Sequence, residues 1–267
     1  MNPNAITIKN FSIRWYSIFI LIAFALGMLI IEKQAIKKGI KKIVISNLCF
    51  YLIIVSIIGA RIYYCIFNLD YYLYHLLDIF KIWEGGLAIH GGIIASIIFI
   101  TIYTKKHHIN LLQLLDIFVP ALILGQAIGR WGNFFNQEAY GPMTTYSHLS
   151  SLNIPKFIIK GMYINGHYFE PTFYYESIGC LIGLVFILIY KYTLQKKDGE
   201  LTSLYLIIYG IIRIFIESLR TDSLMFYSIK VAQLVSLLMI IIGIILFIVL
   251  KIRSKHDQQK MGSNSRK

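Results

Sequence analysis

The chain carries few charged residues and few cysteines for its size. Of its 267 residues, 15% are charged and 57% are hydrophobic, whereas soluble domains carry about 25% charged and about 45–50% apolar residues. Its three cysteines, Cys49, Cys65 and Cys180, stand singly in or at the ends of apolar segments, with neither metal-ligand spacing nor an obvious disulfide pair. Clusters of aspartate, histidine or cysteine are also missing. These absences exclude an ordinary soluble domain, and we expect no metal or other cofactor.

The chain contains several long apolar segments. Seven segments are candidate transmembrane helices: Ile13–Ile31, Ile43–Tyr64, Leu87–Tyr103, Leu111–Ile128, Thr172–Tyr192, Leu201–Leu219 and Ile229–Ile252. The first has 19 residues, which at about 1.5 Å per residue gives roughly the thickness of a bilayer's hydrocarbon core. The lysine cluster after it argues against a cleaved signal peptide.

The predicted fold class is therefore all-α, a polytopic membrane protein with seven transmembrane helices. We expect residues 1–253 to form a single integral membrane catalytic domain. Residues 254–267 are polar and charged, which predicts a disordered cytoplasmic tail. Few residues remain outside the spans, mainly 65–86 and 130–170, so a small extracytoplasmic insertion is predicted between the fourth and fifth helices.

The net charge of +13 would suit a nucleic-acid partner, but its distribution argues against one. Sixteen of the 26 basic residues fall in four segments that alternating helices place on one side of the membrane. They are Lys33, Lys37, Lys38, Lys41 and Lys42, then Lys105 and Lys106, then Lys191, Lys196 and Lys197, then Lys251, Arg253, Lys255, Lys260, Arg266 and Lys267. The positive-inside rule then puts the N-terminus outside and the C-terminus in the cytoplasm. The basicity indicates membrane lipid, and no nucleic acid, as a partner.

Ionisable residues within apolar spans are costly and mark candidate functional positions. On the sixth span, Tyr205, Tyr209, Arg213 and Glu217 recur every four residues and form one stripe. Because such a stripe could not face lipid, it must face the helix bundle. It is either an internal Arg213–Glu217 ion pair with a packing role or one wall of a shared polar pocket.

The run Gly129–Glu138 is the most informative motif, because it sets a permanent cation at the end of the fourth span. Arg130 cannot lose its proton, so a membrane protein must offer it an anion, and a lipid phosphate is the best candidate. Asn133 and Asn136 follow in what reads as a glycine-rich turn. They are either turn residues or amide donors to a phosphate or a glycerol hydroxyl.

Three further residues each have two readings. His90 lies between glycines at a helix start, and an imidazole there is either a hydrogen-bonded core group or a group that moves a proton near neutral pH. Arg61, near the outer end of the second span, either pairs with Asp70 or Glu84 or binds a lipid head group. Tyr16 is either an interfacial anchor or part of the site.

The motifs together resemble those of bacterial prolipoprotein diacylglyceryl transferases, from residue 14 to about residue 222. The matching segments are Arg14–Tyr16, Gly59–Arg61, Ile89–Ile94, Gly129–Glu138, Pro171–Glu176 and Tyr209–Arg213. There are two departures. Glu170 stands where the family usually has histidine, and Ala95 replaces a common glycine. The first puts any role for position 170 in doubt.

The resemblance implies a multi-pass enzyme of the bacterial plasma (inner) membrane, with its active site toward the extracytoplasmic leaflet. It would move the diacylglyceryl group of phosphatidylglycerol onto the lipobox cysteine thiol in a preprolipoprotein signal peptide, releasing glycerol phosphate. The family's functional positions correspond here to Tyr16, His90, Arg130, Asn133, Glu138, Gly141, Tyr209 and Arg213.

In that reaction a thiolate attacks a glycerol carbon and displaces a phosphate ester. We expect His90, Arg130, Arg213 and Tyr16 to be catalytic, with His90 as the base and the two arginines meeting the charge of the leaving group. The residues expected to bind phosphatidylglycerol are Arg61, Arg130, Asn133, Glu138, Gly141, Tyr209, Arg213 and Glu217. Glu217 would brace Arg213, and Glu138 would hold the loop or an arginine.

Three other functions compete. A lipid transporter or flippase also places charge inside a helical bundle, but the sequence shows no repeat, and its polar groups lie toward one side. An intramembrane hydrolase would need either a carboxylate pair or a serine nucleophile in a glycine motif with a histidine, and Ser56, Ser96, Ser177 and Ser218 lack that motif. A non-enzymatic scaffold would leave the arginines within the spans without a role.

Overall fold

A computed structural model describes residues 1–8, 11–227 and 229–264 of the chain. Within these residues, six helices are long and apolar enough to cross a membrane. They are Trp15–Lys37 (α1), Lys42–Ile66 (α2), Leu111–Asn136 (α5), Thr172–Thr193 (α8), Glu200–Leu219 (α9) and the segment Val231–Arg253 of the last helix, Val231–Asn264 (α10). The prediction of a mostly helical, multi-pass chain is confirmed.

The predicted third span corresponds to the helix Ile89–Lys106 (α4), which is not among those six. Its 18 residues include His90 at the start and Lys105 and Lys106 at the end. These polar ends shorten its apolar part below that of the other long helices. The seventh span stays a prediction.

The segments before and between the long helices contain short strands that the sequence analysis did not predict. Among the described residues, β1 (Asn4–Ile8) pairs with β2 (Phe11–Arg14), and β6 (Met225–Phe226) pairs with β7 (Ile229–Lys230). The insertion after α5 holds β3 (Met143–Thr144), β4 (Tyr163–Ile164) and β5 (His167–Phe169) in the antiparallel order β3-β5-β4. Such hairpins satisfy backbone groups that helices leave unpaired.

The chain divides into two compact units, and the smaller comprises residues Ile31–Leu114. Here α2 packs against α4 through glycines: a Cβ on Gly59 would lie 2.7 Å from the Gly91 carbonyl oxygen, and one on Gly92 would lie 3.1 Å from that of Ser56. Small residues at such a crossing let two helix backbones approach closely. The connection between them contains α3 (Leu69–Tyr72) and two 3-10 turns, Leu76–Phe80 and Ile82–Glu84.

The larger unit comprises Met1–Ile30 and Leu115–Lys267. Its membrane core is formed by α5, α8 and α9, where Val119, Ile123, Cys180, Ile187 and Leu201 are buried together. The insertion between α5 and α8 adds α6 (Tyr146–Ser151) and α7 (Lys156–Gly161). Its apolar core is shared with Phe134 of α5 and Phe173 of α8 and further includes Leu149, Ile154, Ile158, Ile159, Met162 and Ile164.

The fourth predicted span ends later than expected. Helix α5 continues through Arg130 to Asn136, so Asn133 and Asn136 belong to a helix and the predicted glycine-rich turn is wrong. The glycines serve packing instead. A Cβ on Gly132 would overlap the Tyr16 ring, and one on Gly129 would lie 3.9 Å from the Ile20 side chain.

The C-terminal helix α10 continues to Asn264, past the boundary predicted at residue 253. Residues 265–267 lie outside the described residues, and the disordered tail stays a prediction, as does a single domain over residues 1–253. The three cysteines are free and buried, as expected for packing residues.

Asp116 holds the start of α9 through one buried carboxylate, which is 4% exposed. Its Oδ1 accepts from the Thr202 backbone N–H at 2.8 Å and from the Thr202 hydroxyl at 2.6 Å. Its Oδ2 accepts from the Gly199 N–H at 2.8 Å and from Gln195 Nε2 at 2.9 Å. Asp116 therefore ties α5 to the connection between α8 and α9.

We predict that Asp116→Asn destabilises the protein by about 2–4 kcal/mol, because an amide NH₂ would face two donors in a buried site. The test is the thermal unfolding midpoint in detergent, followed by circular dichroism. Asp70→Asn, the same change at an exposed position, is the matched control. Equal midpoints for Asp116→Asn and the unmodified protein would contradict this role.

Candidate active site

Two arginines from different helices converge on one buried carboxylate. Arg130 on α5 places Nη2 2.8 Å from Oε1 of Glu176, and Arg213 on α9 places Nη1 3.2 Å from Oε2 of the same residue. Glu176 lies on α8 and is 1% exposed. Because burying one charge unpaired is expensive, each of the three side chains depends on the other two.

Glu217 completes the charge balance. Its Oε2 lies 2.6 Å from Nη2 of Arg213 as an ion pair that lacks hydrogen-bond alignment, and the residue is 2% exposed. The predicted brace on Arg213 is therefore present. Two guanidinium groups and two carboxylates make this four-residue cluster neutral overall.

The polar stripe of α9 faces the helices α5 and α8, as predicted. The Tyr209 hydroxyl donates to Glu176 Oε1 at 3.3 Å. The Tyr205 ring stacks on that of Tyr209, with 5.8 Å between centroids, and its hydroxyl accepts from Gln126 Nε2 at 2.8 Å. The other amide atom, Gln126 Oε1, is buried and has no hydrogen-bond partner within the described part of the chain.

A second set of contacts fixes the last turns of α5. The Asn133 and Asn136 amides donate to Glu138 Oε1 at 2.9 and 3.2 Å. Arg130 Nη1 reaches Asn133 Oδ1 at 3.5 Å, the upper limit for a hydrogen bond. Glu138 thus holds two asparagines, and no contact of Glu138 with an arginine occurs among the described residues. The long Arg130–Asn133 contact leaves Nη1 able to bind another acceptor.

A shallow pocket lies beside this cluster, and its empty volume of about 160 Å³ includes open solvent. It is lined by Arg130, Asn133, Ala139, Thr172, Phe173, Glu176, Ile216 and Arg220. Arg220 is held at the pocket by Asp222, with Nε to Oδ1 at 2.9 Å and Nη2 to Oδ2 at 3.0 Å. The hydrogen bonds from Arg220 lower the pKa of Asp222 below its usual value, so the pair stays ionised at neutral pH. No group of three or more metal-ligating side chains occurs in the described residues.

Two of the predicted positions contribute through packing. The Tyr16 ring lies against Gly132, one residue before Asn133, and the side chain is partly exposed. Gly141 is buried, and its N–H donates to the Glu170 carbonyl at 2.9 Å. A Cβ there would lie 2.8 Å from that of Glu170. Gly141 therefore lets the insertion approach the start of α8.

The Glu170 carboxylate has two polar partners. The family resemblance leads one to expect histidine at this position. Oε2 accepts from the Tyr175 hydroxyl at 2.6 Å, and Oε1 lies 3.2 Å from His148 Nε2. The residue therefore links the insertion to the first turns of α8, and its carboxylate is not free for chemistry.

His90 lies in the first turn of α4, in the smaller unit, and its side chain is exposed. Among the described residues, its imidazole ring lies near the Tyr63 ring, with 6.2 Å between the ring centroids. It is therefore not the hydrogen-bonded core residue that was the alternative reading. Its role as a base stays a prediction.

Arg61, also in the smaller unit, forms an ion pair with neither Asp70 nor Glu84 among the described residues, and its binding of a lipid head group stays a prediction. All its recorded hydrogen bonds run to backbone carbonyls of residues 78–86. The nearby Asp78 carboxylate is engaged elsewhere, by Lys81 Nζ at 2.6 Å and the Tyr71 hydroxyl at 2.7 Å. These hydrogen bonds, that of Lys81 first, lower the pKa of Asp78.

The sequence analysis missed two participants. Glu176 was visible as an acidic residue inside a span, and the motif around it was noted, but nothing in the sequence indicated that both arginines would share it. Gln126 was similarly visible as a polar residue of the fourth span. The signal for both was the same, since they are polar residues within apolar segments.

Comparison with known proteins gives a consistent result. The family described as prolipoprotein diacylglyceryl transferase matches residues 3–249. The chain is 45% identical over 249 residues to a phosphatidylglycerol–prolipoprotein diacylglyceryl transferase of Listeria monocytogenes, covering 92% of this chain and 90% of the relative. It is 46% identical over 260 residues to one of Clostridium perfringens, covering 97% and 98%. For one of Staphylococcus aureus the identity is 44% over 254 residues, covering 95% and 90%.

These similarities extend along nearly the whole chain and include the helices that carry Arg130, Glu176 and Arg213. The chain therefore belongs to the prolipoprotein diacylglyceryl transferase family of enzymes.

Proposed function

We propose that this protein transfers the diacylglyceryl group of phosphatidylglycerol to the lipobox cysteine of a preprolipoprotein, releasing glycerol phosphate. The observation that carries the proposal is the convergence of Arg130 and Arg213 on Glu176, beside a pocket whose lining includes a third arginine, Arg220. Three cations near one pocket suit a phosphate ligand.

The charge balance of the reaction explains why cations are needed. The phosphodiester of the lipid carries one negative charge, and cleavage of its glycerol C–O bond by a thiolate leaves a phosphate monoester, which holds more negative charge on the same group. Guanidinium groups in a site of low dielectric stabilise that increase more than they stabilise the bound lipid. This difference lowers the barrier.

Glu176 gives the two arginines their direction. By binding Arg130 and Arg213 through different carboxylate oxygens, it holds both guanidinium groups in place before lipid arrives. Preorganised charges need little rearrangement during the reaction, which is where their catalytic advantage arises. The weakly bound Nη1 of Arg130 is then the first donor available to a phosphate oxygen.

The surrounding polar residues would orient the lipid head group. Asn133 lines the pocket and is held by Glu138, so its amide has a fixed direction. Tyr209 and Tyr16 are further candidates for contacts to phosphate or glycerol hydroxyls. The unpaired Gln126 Oε1 is suited to accept a hydrogen bond from a hydroxyl group. Gly141 would act by shaping the insertion.

Arg213→Lys should lower the rate of transfer by about 10²–10³-fold, because lysine keeps the charge but loses the two-pronged contact with Glu176 and Glu217. The assay incubates purified protein with phosphatidylglycerol and a lipobox peptide and follows the diacylglyceryl adduct by mass spectrometry. Arg253→Lys, the same change at an exposed position of α10, should keep the original rate. Absence of any adduct from the unmodified protein would refute the proposed function.

We further propose that His90 accepts the proton of the lipobox thiol. His90→Gln should lower kcat by about 10²–10⁴-fold at pH 7. Because an unassisted thiol ionises with a pKa of about 8.5, the deficit should shrink as the pH is raised toward 9. His167→Gln, at an exposed histidine of β5, is the matched control. A His90→Gln variant with near-normal rate at pH 7 would remove the base assignment.

We propose seven membrane crossings in the bacterial inner membrane, with α4 as the third, the N-terminus outside and the C-terminus in the cytoplasm. The basic ends of α4 and α10 support this orientation, since lysine and arginine are retained on the cytoplasmic side. The insertion between α5 and α8 would then lie outside, and the active site would face the extracytoplasmic leaflet.

Single-cysteine labelling tests that topology. Lys156→Cys in the insertion should react with a membrane-impermeant maleimide in intact cells, whereas Lys106→Cys at the end of α4 should react only after permeabilisation. Both lysines are exposed, and the three native cysteines are buried and should give a low background. Labelling of Lys106→Cys, and not of Lys156→Cys, in intact cells would reverse the orientation.

A further inference from the structure

Arg61 is enclosed by the connection between α2 and α4. Its Nε donates to the Ile79 carbonyl at 2.8 Å, and Nη1 donates to those of Gly85 and Gly86 at 2.8 and 3.0 Å. Nη2 donates to the carbonyls of Asp78 at 2.5 Å and Lys81 at 3.4 Å. The residue is 6% exposed.

This arrangement uses the whole guanidinium group. An arginine side chain has five N–H donors, and five carbonyl acceptors surround this one. The rings of Tyr64 and Tyr72 lie 6.0 and 5.4 Å from its Cζ, a distance typical of cation–π contacts. A lipid phosphate could bind Arg61 only by breaking several of these bonds, so the contacts indicate a positioning role.

The carbonyls that Arg61 binds lie directly before α4. Gly85 and Gly86 have φ values of +95° and +68°, a conformation in which glycine is strongly preferred. A Cβ on Gly86 would lie 2.8 Å from the Tyr64 ring and would also meet Arg61 Nη1. Two residues later the Ala88 N–H donates to the Ala60 carbonyl at 3.1 Å. Two contacts therefore fix the backbone of residues 85–88. One is the hydrogen bond to the carbonyl of Ala60, and the other is the Arg61 side chain.

Helix α4 begins at Ile89, with Ala88 as its N-cap and His90 in its first turn. The direction of that first turn depends on where residues 85–88 are held. Gly91 and Gly92, which follow His90, are buried against α2. His90 therefore projects from a backbone segment that α2 holds on both sides.

We propose that Arg61 is a positioning residue for His90: its guanidinium group binds the carbonyls of residues 78–86 and so sets the start of α4. The inference rests on the proposed role of His90 as the base. It assigns Arg61 no contact with lipid.

The first experiment does not depend on activity. In hydrogen–deuterium exchange of the full-length protein in detergent, Arg61→Lys should raise the exchange rate of peptides covering residues 78–92 by about tenfold or more. A lysine has three donors on a compact ammonium group and cannot reach carbonyls on both sides of the site. Peptides from α5 and α9 should exchange as in the unmodified protein. Unchanged exchange over residues 78–92 would overturn the proposal.

The second experiment separates positioning from lipid binding. With folded protein at matched concentration, Arg61→Lys should lower kcat by about 10–100-fold and leave KM for phosphatidylglycerol within a factor of about two. A raised KM with normal kcat would make Arg61 a lipid ligand and overturn the proposal. Arg253→Lys, the same change at an exposed position of α10, should behave as the unmodified protein.

Gly86→Ala provides an independent variant should Arg61→Lys not fold. It disturbs the same contact from the opposite side without changing any charge, and it should reproduce the fall in kcat and the faster exchange. Gly39→Ala is its control, since Gly39 also has a positive φ of 79° but nothing within 4 Å of its would-be Cβ. Normal kcat and exchange for Gly86→Ala would contradict the proposal. An inactive unmodified protein would instead refute the function while the exchange result still decides the role of Arg61.

Discussion

The buried carboxylate of Glu176 is the contact on which the larger unit's polar interior depends. Without it, Arg213 would keep only Glu217, and Arg130 would be a cation with no carboxylate partner among the described residues, inside a bundle of apolar helices. With it, three helices, α5, α8 and α9, are tied through one residue. The Glu176 carboxylate compensates the charge of the buried arginines, and it also keeps the two cations close together beside one pocket.

The two units use arginine in opposite ways. Arg61 is saturated by neutral carbonyls, which leaves its positive charge uncompensated but its donors fully occupied. Arg130 and Arg213 are compensated in charge, yet Arg130 retains a long, weak contact at Nη1. Saturated donors suit a structural role, and a weakly engaged donor suits ligand binding. Sequence position within a span does not distinguish these cases, because both kinds of arginine lie near helix ends.

Much of the architecture could be predicted, because hydropathy alone determines most long helices and a four-residue period placed Arg213 and Glu217 on one face. The end of α5 could not be predicted, because the glycines in this segment suggest a turn. Only the structure shows that Gly132 lies inside the helix and packs against Tyr16. The sequence also could not predict that Glu176 pairs with both arginines or that backbone carbonyls surround Arg61. Both depend on contacts between segments far apart in sequence, and local patterns carry no information on such pairings. The short strands were not predicted, because segments of two to five residues are too short to show a periodic pattern.

The buried cysteines have a consequence for an enzyme that alkylates sulfur. Cys180 is fully buried one helical turn from Glu176, the residue of α8 that binds the two arginines. A thiol there that could reach the reactive lipid carbon would compete with the incoming peptide and end in irreversible self-modification. All three thiols are buried, so the cysteine of the substrate is the accessible nucleophile. Burial of its own thiols therefore protects the enzyme from alkylation by its lipid substrate.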